Sequence, residues 1–462
     1  MSLKSETLKQ AFAPAEPQLP LDLGDGLLLR RATAADSEPL AQFHGRVFGR
    51  ERFDELLAAY VRYYMLESHP VIGPSNVLVV EDTGTHELIS SMMLIPQTWT
   101  YSGIPFGVGR PEVVATDPAY RRRGLVRAQF QVIHAQSETM GHLVQGITGI
   151  PWYYRQFGYE YALDLGGGRL AYFSNVPELK PADPAKPTIQ TETEAYRLRA
   201  MTHNDLSFAA SLYERDCARS LVACPRAESL WHYMLDESPE AMAFRVPMQI
   251  IETIDGRAVG YLQTSRELWA DMVVVGEIAF DHGQSVRAAM PAVLRWMKTF
   301  GETESRRQNK PVNAIQFALG QEHPVYDAIP DLLPRTRIPY GWYIRVPDVP
   351  RFLRHIAPAL SARLAHSAMA GYTGELRISE YERGIRLAFE NGTLVNAMAW
   401  QPSAEEGGEC GFPYRAFLRL VFGEKSLGEL RAFYPDCWAK DEASVLLNAL
   451  FPKHNSCVMP VG

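Results

Sequence analysis

The sequence has no run of about 18 apolar residues, so it contains no ordinary membrane-spanning helix. It has no excess of positive charge: 46 Lys and Arg stand against 53 Asp and Glu, for a formal net charge of −7. Nucleic-acid backbones are gripped by basic surfaces, so nucleic acid is not expected as a partner. An acidic surface attracts cationic small molecules instead. Cysteine is scarce. The five thiols, Cys217, Cys224, Cys410, Cys437 and Cys457, are odd in number and form no CxxC pair. That excludes a disulfide scaffold and a zinc site, and no metal is expected. Reduced, buried thiols fit a cytoplasmic location. The first 26 residues lack the apolar segment of a secretory leader and read as a flexible lead-in.

What is present is enough apolar residue, 46% of 462, to build two or three cores. The first unit, 27–170, predicts a helical segment over 36–66 and strands at 77–80 and 88–95 joined by Asp82-Thr83-Gly84. A strand at 111–116 follows. A helix then starts at Gly124, with Val126, Phe130, Ile133, Ser137 and Met140 on one face, and Gly141 ends it. A strand at 143–148 and a short helix at 152–156 complete the unit. A Pro-rich stretch, 177–187, reads as a linker into a second unit, 171–346. Its order repeats the first: helix 206–219, hairpin turning at Asp255-Gly256, strand 272–280, helix 286–300, strand 312–319. That is the mark of an internal duplication. The third unit, 347–462, has alternating Ile385, Leu387 and Phe389 before an Asn391-Gly392 turn. It closes on a helix at 441–450 and reads as an antiparallel sheet with helices on one side. The fold class is α+β.

The chemistry sits in Glu112-Val113-Val114-Ala115-Thr116-Asp117-Pro118-Ala119-Tyr120-Arg121-Arg122-Arg123-Gly124-Leu125-Val126-Arg127. A strand runs through a basic turn and a glycine into an amphipathic helix. Unpaired N–H groups at a helix start make an anion site, and the helix dipole favours negative charge there. Gly124 removes the side chain where a phosphate approaches, and three arginines supply charge. A single glycine and three arginines would equally suit a solvated basic patch.

The segment resembles the coenzyme A loop of the GNAT acetyltransferases, in which Arg or Gln, two residues, Gly, any residue and a small residue follow one another. Here Val126 replaces the small residue, as in Arg-Arg-Arg-Gly-Leu runs of the Eis-type aminoglycoside acetyltransferases. Downstream, Trp152-Tyr153-Tyr154-Arg155-Gln156-Phe157-Gly158-Tyr159 is similar to the GNAT pattern Phe-Tyr-x-x-x-Gly-Phe. The resemblance implies tandem GNAT folds followed by a sterol-carrier-protein-like domain, with an oligomer of three or six chains. It implies acetyl-CoA as co-substrate, held by Val114, Ala115, Thr116, Arg121, Arg122, Arg123, Gly124, Leu125, Val126 and Gly149. The second fold is expected to be degenerate, because Asp281-His282-Gly283-Gln284 stands where Arg121 to Gly124 stand in the first.

The resemblance also makes Tyr154 the acid that protonates the departing thiolate. A phenol is protonated at neutral pH, so it is able to donate. For the base it implies the C-terminal carboxylate of Gly462, which the apolar tail 458–462 would carry into the first unit. Glu112 is the alternative; simple alternation puts it on one face with Val114 and Thr116. His134 and His142 flank the motif helix and read as solvent-facing or capping. The activity implied is acetyl transfer to a primary amine, such as an aminoglycoside or polyamine. Two others stand beside it: a protein lysine acetyltransferase, and a non-catalytic sensor of acyl-CoA.

Overall fold

The computed structural model describes residues 17–49, 51–180, 193–235, 246–403, 405–413 and 415–459. Most of the lead-in, the linker from 181 onward, and Gly462 lie outside the described residues. The chain opens with β1 (Leu21–Asp22) and β2 (Leu27–Arg31), then α1 (Ser37–Phe48) and α2 (Glu55–Tyr64). One helix was expected over 36–66. The chain instead turns at Gly49, where any side chain would meet the Arg52 carbonyl oxygen at 2.0 Å. Asp54 then caps α2 by accepting the Leu57 N–H at 2.9 Å. Strands β3 (Val77–Asp82), β4 (Glu87–Tyr101) and β5 (Ile104–Thr116) form a meander. Helix α3 (Leu125–Thr139) crosses back to β6 (Val144–Ile147), and β7 (Glu160–Leu165) follows.

The middle of the chain contributes β8 (Gly168–Tyr172), β9 (Tyr196–Ala200), α4 (Leu206–Cys217), β10 (Val222–Ala223) and α5 (Glu228–Met234). It continues with β11 (Met248–Thr253), β12 (Ala258–Thr264), β13 (Met272–Phe280), α6 (Val286–Gln308), β14 (Ala314–Phe317), α7 (Pro324–Ala328), β15 (Arg335–Arg337) and β16 (Tyr340–Arg345). The last part holds α8 (Val349–His355), α9 (Ala357–Ala365), β17 (Gly374–Ser379), β18 (Gly384–Glu390), β19 (Thr393–Trp400) and β20 (Cys410–Gly411). It ends with α10 (Ala416–Val421), α11 (Leu427–Phe433), β21 (Trp438–Ala439) and α12 (Asp441–Leu450).

Three sheets result. The first has the order β1-β2-β3-β4-β5-β6-β16-β7, with β10 also on β4. The second is β15-β8-β14-β13-β12-β11-β9 and the third β19-β18-β17-β20-β21. Sheet membership does not follow chain order. β16 lies in the stretch expected to close the second unit, yet it inserts between β6 and β7 of the first sheet. In exchange, β8, next to β7 in sequence, pairs with β14 in the second sheet.

The first two sheets open with one and the same device. Arg30 reaches Glu81 at 2.8 Å and grips Asp36 with two N–H groups at 2.8 and 2.9 Å. Asp36 also accepts the Thr33 N–H at 2.7 Å. In the second sheet Arg199 reaches Glu252 at 2.9 Å and Asp205 twice at 2.7 Å, and Asp205 accepts the Thr202 N–H at 2.9 Å. Each cluster ties a strand to the start of a helix across its neighbouring strand.

The first and third sheets share one core. Trp99, Tyr101 and Phe106 pack in a single cluster with Phe352, Leu387 and Phe417. Phe352 touches Phe106 and Phe422 with ring centroids 5.4 Å away in each case.

His44, His69 and His142 are buried and His134 is half-buried, so of the expectation that His134 and His142 are solvent-facing or capping, the solvent-facing part is corrected. His142 is 8% exposed and meets Ser137 Oγ at 3.0 Å. His134 meets the Tyr159 hydroxyl at 2.9 Å. Burial pushes His142 and His69 down to about 4 and His44 to about 3. Burial, then Arg345, pushes His134 to about 3. Between pH about 6.5 and about 4 the unfolded chain therefore binds protons that the folded chain refuses, so stability rises with pH there. Urea midpoints should fall as pH drops below about 6.5. Replacing His142 with Asn should remove one proton's share, ~1.4 kcal/mol per pH unit, from that slope. Parallel pH profiles for the two proteins would show that His142 is not held neutral.

Candidate active site

β5 and β6 run parallel but pair only at Val108↔Val144 and Gly109↔Gln145. Close packing joins them there. A Cβ on Gly109 would fall 2.2 Å from Ser137 Oγ of α3. Ser137 Oγ in turn accepts from Gln145 Nε2 at 3.1 Å. Past Gly109, β5 continues to Thr116 paired with β4 alone, so a cleft opens between it and β6.

A bulge shapes the cleft wall. Ser91 pairs with Ala115 and Met93 with Glu112, which leaves Val113 and Val114 together opposite Met92. Val113 takes φ +48°, an uncommon conformation for a β-branched residue. The extra residue overturns the simple alternation expected for Glu112. Glu112 pairs across from Met93, on the face that packs against Tyr63 and Tyr64. Thr116 pairs with Ser90, and Val114 packs with the α3 core on the opposite face. Glu112 Oε1 accepts from Arg110 Nη2 at 2.9 Å, and Oε2 accepts its neighbour's Val113 N–H at 3.0 Å. Arg110 is wholly buried and stacks 5.8 Å from the Trp342 ring.

At the far end of β5, Gly124 sits at φ +79° as the residue before α3, with no side-chain cap. The first α3 N–H groups therefore face outward unpaired. A Cβ on Gly124 would meet nothing within 4 Å. A cavity of about 800 Å³ opens there, lined by Val114, Ala115, Thr116, Arg121, Arg122, Gly124, Leu125 and Val126. Tyr153 and Phe157 form part of its other wall. Arg123 is outside this lining; it stacks on Tyr120 at 4.9 Å. Gly149 is also outside it, its carbonyl accepting from the Tyr340 hydroxyl. An uncapped helix start, two arginines and a glycine facing a cavity of this size fit a pyrophosphate and its pantetheine arm.

Tyr154 lies behind the cavity wall, 3% exposed, its ring 5.4 Å from that of Tyr343 and 6.0 Å from that of Phe130. Its hydroxyl has no hydrogen-bond partner among the described residues. Burial first, then the charge of Glu112, pushes its phenol well above the ordinary range, so it keeps its proton at neutral pH.

The second sheet lacks this cradle. Helix α6 is capped from its own chain: Ser285 Oγ accepts the Ala288 N–H at 3.2 Å. Asp281 stands just before it, 3.7 Å from Arg215. An amide already capped offers no free donor, and a nearby carboxylate disfavours an anion.

Gly462 lies outside the described residues, but the chain leading to it is placed. Val222 N–H donates to Ser456 Oγ at 2.9 Å, and Trp342 Nε1 donates to the Val458 carbonyl at 2.8 Å. Trp342 belongs to β16, in the first sheet, beside Arg110. Arg110, Trp342 and Tyr343 escaped the sequence reading. Arg110 could have been noticed as a charge inside an apolar strand. The other two carried no local signal, because their relation to the site comes only from the insertion of β16.

Residues 29–162 match the family model described as Acetyltransferase (GNAT) domain. Residues 29–162 are thus a GNAT acetyltransferase domain. The chain is accordingly an enzyme of the N-acetyltransferase class, and its fold is one that binds acyl-CoA. No curated protein matches the chain by sequence. Among solved structures, a protein from Enterococcus faecalis V583 described as a probable N-acyltransferase has 12% identity and TM-score 0.64. The match covers 94% of this chain and 100% of that one. A GCN5-related N-acetyltransferase from Anabaena variabilis ATCC 29413 has 15% identity and TM-score 0.58, covering 94% and 99%. Eis1 from Mycobacterium abscessus has 17% identity and TM-score 0.56, covering 93% and 98%. At these identities the likeness is one of fold. Among the described residues no helix is long and apolar enough to cross a membrane.

Proposed function

We propose that this enzyme transfers acetyl from acetyl-CoA to a primary amine of a cationic small molecule, and that it is organised on the Eis-type plan. On that plan the first GNAT fold is catalytic, the second degenerate and the third a sterol-carrier-like domain. The observation that carries the reading is the contrast between two helix starts. α3 presents an uncapped, arginine-flanked start to a cavity of about 800 Å³. Its counterpart α6 is capped by Ser285. The repeated Arg–Thr–Asp–Glu cluster supports the duplication, and the match of Eis1 over 93% of the chain supports the three-part plan.

Bound acetyl-CoA would supply an activated acyl carbon and a thiolate leaving group. Arg121 and Arg122, with the α3 amides, hold its pyrophosphate, and Val114 to Thr116 line the path of the pantetheine arm. Tyr154 holds the proton needed by the thiolate. The base is the C-terminal carboxylate of Gly462 in first place and Glu112 in second. Both Glu112 oxygens already accept fixed donors, which suits holding charge near the amine more than moving a proton. The anchoring of Val458 on Trp342 brings the tail to the first sheet, as a terminal base requires.

Three measurements test this reading. Gly124→Val strains a φ of +79° and puts a side chain into the cavity; calorimetric affinity for acetyl-CoA should fall at least about ten-fold. Gly283→Val should leave that affinity unchanged, and equal effects at both glycines would remove the distinction between the two folds. Tyr154→Phe keeps the ring and removes the donor, so kcat should fall by roughly 10²–10⁴ with acetyl-CoA affinity preserved. A kcat within a few-fold of the parent would assign Tyr154 to packing. Appending residues after Gly462 should abolish turnover in a folded protein that still binds acetyl-CoA. Full activity there, with loss in Glu112→Gln, would make Glu112 the base.

A further inference from the structure

The second sheet parts as the first does. β13 and β14 pair in parallel from Met272↔Ala314 to Val275↔Phe317. Beyond Val275 they border a cavity of about 610 Å³. It opens where two parallel strands part, as the first cleft does, and its wall is acidic where the first is basic. Its wall carries four carboxylates, Asp216, Glu277, Glu322 and Asp327, against Arg219 and Lys453. Lys453 is paired with Glu429 at 2.7 Å, and Arg219 with Asp216. Glu277 is matched by the buried Arg226 at 2.6 Å. Glu322 and Asp327 have no ion-pair partner among the described residues. An anion is disfavoured here and a cation favoured.

His323 points to a ligand independently of the charge. Its side chain is 8% exposed. Nδ1 accepts the Val325 N–H at 3.3 Å, so the neutral ring carries its proton on the opposite nitrogen, Nε2. Burial, then Arg219, keeps the ring neutral, down to about 3. Nε2 has no hydrogen-bond partner. It is aimed at Asp216 in the same wall, whose Oδ1 is 4.0 Å away, beyond hydrogen-bond reach. Buried donors are almost always satisfied, and this one wants an acceptor oxygen beside a carboxylate.

We propose that this cavity binds a small primary amine with a neighbouring hydroxyl: its ammonium lies among Asp216, Glu322 and Asp327, and its oxygen accepts from His323 Nε2–H. The tail forms part of the same wall. Cys457 packs against Gly320, where an added Cβ would lie 2.8 Å from the cysteine Cβ, and Val458 follows on Trp342. The bound amine therefore rests against the segment that leads to Gly462.

The test is calorimetric titration of the full chain with glucosamine and with methylamine, in the presence of coenzyme A to occupy the cofactor part of the first cleft. Glucosamine should bind, and Glu322→Gln with Asp327→Asn, both exposed, should weaken it about ten-fold or more. His323→Asn keeps an acceptor for the Val325 N–H and lacks Nε2. It should weaken glucosamine about ten-fold and leave methylamine unchanged. Absence of glucosamine binding at millimolar concentration would overturn the proposal. So would binding that survives these substitutions and disappears in Glu112→Gln, which would place the amine in the first cleft. Acetyl transfer plays no part in the readout, so a failure of the proposed reaction and a failure of this site are separately visible.

Discussion

The structure depends on two parallel strands that stay together for only two residue pairs. β5 and β6 are joined at Gly109 and Gln145, where the glycine lets Ser137 come close and Gln145 bonds to it. Past that point β5 has only β4 as a partner. Backbone groups left without a strand partner line the gap and are free to meet a ligand. The bulge at Val113 adds a residue to the wall at this place and sets Glu112 on the face opposite Val114 and Thr116. On the other side, β16 fills the sheet between β6 and β7.

The same gap occurs twice in the chain, and the difference lies in a few residues at one helix start. α3 begins after a glycine with no cap and arginines in front. α6 begins with a serine that satisfies its own amide, behind an aspartate. Both helices carry the dipole; only one leaves its positive end available. The fold thus provides a cleft in each half, while side chains decide whether that cleft holds an anion.

Much of the local structure could be read from residue patterns. The strand over 272–280 and the helix over 441–450 occur with those bounds, because alternation and helical spacing are strong there. The Asp255-Gly256 and Asn391-Gly392 turns join the strands they were expected to join. The expected long helix over 36–66 is two helices, since periodicity alone does not register a backbone contact at Gly49. One legible signal of duplication was overlooked: Arg, Thr and Asp recur at identical spacing in Arg30, Thr33, Asp36 and in Arg199, Thr202, Asp205. His134 and His142 read as solvent-facing or capping because a polar residue beside a helix usually is. The burial of His142 depends on which strand lies beneath the helix, as with Ser137 over Gly109.

The sequence by itself determined the element types, the turn chemistry and the basic Gly124 turn, because these depend on neighbours within a few residues. Tertiary structure alone decided which sheet each strand joins. It put Tyr343 beside Tyr154 from 189 positions away and Val458 against Trp342. A strand pattern records which face is apolar and not which edge it will meet, so the exchange of β8 and β16 left no local trace. The same is true of Arg110 and Glu112. Their proximity was visible, but the face they occupy was set by one residue in a bulge, forced by pairing with β4.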